Sequence, residues 1–202
     1  MHAIPFALTL FLSGAPAFEP PTPPVASHLW VINELYSNSD GSVQFIELLE
    51  CCGSSFENGL ANKKIFSDAT GHQYQFPTNI AGNTAHRSLL LATAGFAALP
   101  GAVTPDFTIP ANFFSTSADT LRWHIYPNAT LSFDIGELPL DGLYSFNRGS
   151  GSLVNSPKNF AGQQGSINLA PVPGMPIGWV AALAAVVSLA GLAALLPRAP
   201  RT

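Results

Sequence analysis

Charge is scarce in this chain. Lysine, arginine, aspartate and glutamate together make up 10% of its 202 residues, against roughly 25% in an ordinary soluble protein. Between the two ends of the chain the basic residues are Lys63, Lys64, Arg87, Arg122, Arg148 and Lys158, scattered rather than clustered, and the net charge is −4. A nucleic-acid surface needs a basic stripe to displace the counterions of the phosphates, so nucleic acid is excluded as a partner. Cysteine is almost missing: Cys51 and Cys52 stand side by side and there are no others. With no C-x-x-C pair, a four-thiolate zinc site is ruled out. A vicinal disulfide, a link to another chain and two free thiols stay open, and the reading leans to the vicinal bond because Gly53 eases the turn and export favours oxidation. Missing too are H-E-x-x-H spacing among His28, His72, His86 and His124, and the loop frame of an EF-hand.

What is abundant lies at the ends. Ile4 to Leu12 is apolar and too short to span a bilayer, and the small-residue site Ala15-Pro16-Ala17 follows it. That is the layout of a secretory signal peptide, cleaved after Ala17. The n-region departs from the pattern in having no Lys or Arg. Glu19 to Pro24 then reads as a stiff proline-rich spacer. At the other end, Ile177 to Leu196 carries no charge, and as a helix it would cross the roughly 30 Å hydrocarbon core of a membrane. Arg198 and Arg201 follow it, on the cytoplasmic side by the positive-inside tendency. The proline motif Pro171-Val172-Pro173, the apolar span and the basic tail together resemble bacterial C-terminal sorting signals of the PEP-CTERM type. The resemblance implies an envelope sorting protease as a partner, although the usual Pro-Glu-Pro is absent.

The residues between the ends read as short strands. Trp30, Ile32 and Glu34 share one face by strict alternation, with Leu29, Val31, Asn33 and Leu35 on the other. Ser37 to Gly41 is a dense turn signal, and Ser42 to Glu50 alternates again, so the two runs form a hairpin. Further strands are expected at Lys64–Phe66, His72–Phe76, Ser88–Ala92, Thr120–Tyr126, Thr130–Phe133 and Gly142–Asn147, with an edge strand at Phe107–Ile109 halted by Pro110 and one helical turn at Gly95–Leu99. Short strands with no long amphipathic helix between them predict an antiparallel sandwich. After Arg148 the chain is rich in Gly, Ser, Asn and Gln and reads as a tether.

Candidate chemistry is thin. Glu34 and Glu47 interrupt apolar strands, and hairpin pairing would bring them together, so with Asp40 they are the candidates for a cation site or an acid–base pair. The competing reading is that they satisfy buried donors of the fold. Asp40 with Asn38 reads as a turn. Gly149-Ser150-Gly151 lacks the strand-to-helix setting of a nucleophile elbow. Asn128-Ala129-Thr130 is a formal glycosylation sequon. Phe113, Phe114, Trp123 and Tyr126 are candidates for an aromatic binding patch, with core packing the preferred reading.

Trp30-Val31-Ile32-Asn33-Glu34-Leu35-Tyr36, Asp40-Gly41 and Gln44-Phe45-Ile46-Glu47-Leu48 resemble the opening of a lamin-tail domain. Ser88 to Ala92, the loop Thr93 to Phe96 and the closing segment Asn159 to Gln163 extend the likeness towards exported bacterial lamin-tail-like proteins. The family's Asp-Leu-Ser-Gly-Trp segment is replaced here by Cys51-Cys52-Gly53-Ser54-Ser55. The resemblance implies an all-β, immunoglobulin-like antiparallel β-sandwich used for binding or structure, with no catalytic residues and no cofactor. The expected organisation is a signal peptide at 1–17, a spacer at 18–27, a sandwich at 28–165, a linker at 166–176, one transmembrane helix at 177–196 and a basic tail at 197–202. The expected function is an exported, membrane-anchored or cell-surface non-enzymatic module that meets an envelope protein or polysaccharide. The rivals are a metal-assisted hydrolase using Glu34, Glu47 and Asp40, and an architectural subunit of a surface polymer.

Overall fold

The turn signal at Asp40-Gly41 closes the hairpin expected of it. In the computed structural model, which describes residues 26–126 and 129–169, β1 (Trp30–Ser37) pairs antiparallel with β2 (Gln44–Glu50). Asp40 Oδ1 accepts from the Ser42 N–H at 2.9 Å and from the Ser42 hydroxyl at 2.6 Å, which folds the tip on itself. Gly41 has φ +71, and a Cβ there would lie 2.1 Å from Asn112 Oδ1, so only glycine lets the neighbouring loop approach. The chain continues through β3 (Lys64–Ser67), β4 (Gln73–Gln75), β5 (Ser88–Thr93), α1 (Ala94–Ala97), β6 (Phe107–Ile109), β7 (Asp119–Trp123), β8 (Leu131–Phe133), β9 (Tyr144–Asn147) and β10 (Gly151–Val154).

These strands form a six-stranded sheet in the order β10-β9-β1-β2-β5-β6 and a four-stranded sheet in the order β4-β3-β7-β8. The pairings are antiparallel except β5 with β6, which is parallel. The parallel pair follows from the connection: α1 and the loop after it carry the chain over the outer face of the large sheet, so β6 starts again at the end where β5 started. The two sheets pack face to face. Trp30, Ile32, Leu35, Ile46, Leu48, Leu89 and Leu91 of the large sheet share one buried cluster with Ile65, Leu121, Trp123, Leu131 and Phe133 of the small one. Each large apolar side chain enclosed this way contributes about 1.5–3 kcal/mol.

Strict alternation along β1 does not hold. The register passes from Ile32 opposite Leu48 to Glu34 opposite Glu47, leaving Asn33 as a bulged extra residue. The bulge moves Leu35 onto the inner face beside Trp30 and Ile32, and turns Glu34 outward with Tyr36. The expectation that Trp30, Ile32 and Glu34 share a face is thereby corrected. A regular strand would drive the Glu34 carboxylate into the apolar core.

The outer face of the large sheet is covered rather than solvated. Tyr36, Phe45, Leu90 and Ala92 pack there under Phe96 of α1, Val103 and Ile167. The segment after Arg148 is therefore no tether: it forms β10 and then wraps back, burying Asn155, Asn159 and Ile167. The packed body also exceeds the expected 28–165. It takes in Ser27, whose carbonyl accepts from Trp123 Nε1, and it reaches Leu169, whose N–H bonds to the Gly142 carbonyl. Residues 1–17, the proline spacer up to residue 25, Asn128, the proline motif Pro171-Val172-Pro173, the span 177–196, Arg198 and Arg201 lie outside the described residues. Among the described residues no helix is long and apolar enough to cross a membrane.

Candidate functional site

The bulge at Asn33 does more than protect the core. It sets Glu34 directly opposite Glu47 across the hairpin, as the strand pairing predicts, and both are buried, at 1% and 4% exposure. Each carboxylate accepts three hydrogen bonds from the fold's own donors. Glu34 Oε1 accepts from the Ser145 hydroxyl at 2.6 Å and the Ser156 N–H at 2.8 Å, and Oε2 from the Ser156 hydroxyl at 3.2 Å. Glu47 Oε1 accepts from Ser88 Oγ at 3.0 Å and Asn33 Nδ2 at 3.2 Å, and Oε2 from the Lys158 N–H at 2.8 Å. Ser156 and Lys158 belong to the wrapping segment, so the pair, on β1 and β2 and bonded to β9 through Ser145 and to β5 through Ser88, fastens that segment across four adjacent strands of the sheet.

The electrostatics follow from the placement. Burial raises the pKa of Glu34, with its hydrogen bonds acting in the opposite direction. Glu47 is pushed up to about 7, first by burial and then by the Glu34 charge facing it. Asp40 is exposed at the hairpin tip, with its pKa lowered chiefly by the Ser42 hydroxyl and N–H. Its bonds stay within its own turn, so the three acidic candidates do not converge, and among the described residues no cluster of three or more metal-ligating side chains could hold an ion. The open depressions lie elsewhere. One, of about 370 Å³, is lined by Phe66, Ser67, Asp68, Gly71, Arg122 and His124, with Arg122 paired to Asp68.

Cys51 and Cys52 form a disulfide with each other and both are exposed. They follow β2 directly, and the residue before them, Glu50, is the one sequence reasoning overlooked. Glu50 Oε1 accepts from the N–H groups of Cys52 and Ser54, both at 3.1 Å, and Oε2 from those of Gly53 and His86, both at 2.8 Å. Burial of this carboxylate opposes ionisation, but the four amides outweigh it and its pKa falls below the ordinary value. The signal was available in the sequence: an acidic residue at a strand end, followed by a Cys-Cys-Gly-Ser turn, places a carboxylate where a loop offers unpaired N–H groups. Gly53 has φ +83, and a Cβ there would come within 2.9 Å of His86 Nε2, so the imidazole lies against the loop. Glu57, Asp106 and Asp119 hold loops in the same manner, Asp119 through Ser67 Oγ and the N–H groups of Ala69, Ser115 and Thr120.

Phe113, Phe114 and Trp123 are buried in the core, and Tyr126 is half-buried between the rings of His28 and His124. His28, His72 and His86 are exposed and His124 is half-buried, with no common ligand position. Comparison of the chain with family models, with curated proteins and with solved structures gives no match.

Proposed function

We propose that this chain is an exported β-sandwich module, anchored in a membrane or held at the cell surface, that binds an envelope protein or polysaccharide through loops at one end and performs no reaction on it. The observation that carries the proposal is the engagement of Glu34 and Glu47. The two acids on which an enzyme reading depends are 1% and 4% exposed and bonded to Ser145, Ser156, Ser88, Asn33 and Lys158. An immunoglobulin-like, lamin-tail-like body belongs to the same proposal, supported by the two packed sheets and the opening hairpin. So do removal of residues 1–17, a membrane span at 177–196, and sorting through Pro171-Val172-Pro173, Arg198 and Arg201 by an envelope protease. These rest on sequence pattern. The test is mass spectrometry of the mature protein from fractionated native cells. A chain beginning at Phe18 in the membrane or surface fraction is expected, and an intact chain beginning at Met1 in the cytosol would overturn the proposal. Soaking crystals in Ca²⁺, Mn²⁺ or Zn²⁺ tests the hydrolase rival, which needs an ion between Glu34 and Glu47.

One feature favours the architectural reading as a second possibility. Strand β10 is an edge of the large sheet with no charge and no proline, and Leu153 and Val154 are each 48% exposed. The opposite edge, β6, is short and stopped by Pro110, a common protection against edge pairing. Self-association that rises with concentration in sedimentation, and is lost in Val154→Lys, is expected if copies pair through β10. A wild type that stays monomeric throughout removes this reading.

A further inference from the structure

The Cys51–Cys52 bond has no role as a staple. In the chain-entropy picture a disulfide stabilises in proportion to the logarithm of the loop it closes, and this one joins neighbours already linked by a peptide bond. The loop is held by other means: the Glu50 carboxylate gathers the N–H groups of Cys52, Gly53, Ser54 and His86, and Thr84 Oγ1 donates to the Ser54 carbonyl at 2.7 Å. Both cysteines are exposed and the chain has no other thiol. A solvent-facing disulfide on a loop that does not depend on it is placed for chemistry.

We infer that Cys51–Cys52 is a thiol–disulfide exchange site that accepts two electrons from a dithiol. A thiolate of the dithiol attacks one cysteine sulfur, forming a mixed disulfide and breaking the Cys51–Cys52 bond, and the other cysteine leaves as a thiolate. The second thiol of the reductant, as its thiolate, then attacks the mixed disulfide, releasing the first cysteine. The protein gains two electrons and two protons, and the reductant leaves as a cyclic or linked disulfide. A monothiol follows the first step only. The freed cysteine stays beside the mixed disulfide because Glu50 holds the backbone of the loop, so it attacks in turn, restores the original bond and ejects the monothiol. The site therefore selects dithiols over monothiols by adjacency alone.

The experiment uses the full chain under native conditions, with dithiothreitol and glutathione at equal thiol concentration, followed by alkylation and intact mass. The wild type is expected to take up two alkyl groups after dithiothreitol, with its far-UV circular dichroism and thermal midpoint unchanged, and to carry no lasting glutathione adduct. Oxidised glutathione is then given to Cys52→Ser and to the dithiothreitol-reduced wild type: in the variant the exposed Cys51 thiolate attacks its disulfide, expels one reduced glutathione and keeps the other as a stable adduct, whereas in the wild type Cys52 displaces that adduct and restores the Cys51–Cys52 bond. Alkylation of the wild type only after denaturation, loss of cooperative unfolding on reduction, or a glutathione adduct as persistent on the wild type as on Cys52→Ser would each overturn the inference.

Discussion

At the scale of single residues, the acids of this protein divide by what surrounds them. Among the described residues Arg122 pairs with Asp68 and the His28 imidazole lies 3.5 Å from Glu57, and neither Glu34 nor Glu47 has a cationic partner. Two buried carboxylates face to face resist double ionisation, and the pair keeps a proton that an isolated glutamate would lose. Glu47, raised from 4.5 to about 7, gives stability that is complete below pH 4.5 and is lost as pH climbs through about 7. The loss is on the order of 3 kcal/mol. Glu47→Gln is expected to be close to neutral at pH 5 and more stable than the wild type at pH 8, measured by urea midpoints at the two values. Equal pH dependence in both proteins would contradict the pairing. Glu50 has the opposite sign. Its pKa is lowered, so its contribution is present above the ordinary glutamate value and disappears as pH falls below it. Glu50→Ala removes an acceptor shared by four amides, and a loss of about 2–3 kcal/mol at pH 7 is expected. The measurement is chemical denaturation, with faster amide exchange at Cys52, Gly53 and Ser54 as its local signature.

At the scale of elements, the hairpin and most strands were legible because apolar residues alternate with polar ones between turn residues. The small sheet and β5 fall where the alternation predicts, and β6 coincides with Phe107–Ile109. The bulge escaped the period-two reading because Glu34 occupies a position that regular alternation assigns inward. Its trace in the sequence is a change of spacing: the inward residues Trp30, Ile32 and Leu35 are two and then three apart. The expected turn at Gly95–Leu99 is the short helix α1, shifted towards Thr93, since that side chain supplies its N-cap. Thr93 Oγ1 accepts from the N–H groups of Phe96 and Gln44, both at 3.2 Å, and donates to the Ser42 carbonyl at 2.9 Å. One hydroxyl thus joins α1, β2 and the hairpin tip. Thr93→Val keeps the volume and removes all three bonds. A destabilisation of about 2–3 kcal/mol is expected, and a change under half of that in urea unfolding would show that water replaces the hydroxyl.

At the scale of the whole molecule, the wrapping segment decides how the large sheet is closed, and it was the part least legible in the sequence. Periodicity reports apolar spacing, and residues 149–166 offer almost none. Their order comes from side-chain amides and main-chain groups, which hydropathy does not register. Asn155 is the centre of that arrangement. It is buried, its Nδ2 donates to the Leu143 carbonyl at 2.6 Å and the Ile167 carbonyl at 2.7 Å, and its Oδ1 accepts from the Ile167 N–H at 2.8 Å. Glu34 and Glu47 bind the segment at Ser156 and Lys158, and Asp106 binds it at Phe160. The wrap is therefore fixed at both margins by polar bonds, with Ile167 its main buried apolar contact. Asn155→Ala strands the Ile167 N–H and carbonyl in a buried setting. A loss of about 3 kcal/mol is expected, concentrated in the wrap rather than in the paired sheets. Limited proteolysis separates local from global loss: the variant should be cut first within residues 156–169 while the rest of the body stays intact, because an opened wrap exposes backbone that the sheets do not. Cleavage at the same sites and rates as in the wild type would mean that the outer face holds its cover through Ile167 and the three acids without Asn155.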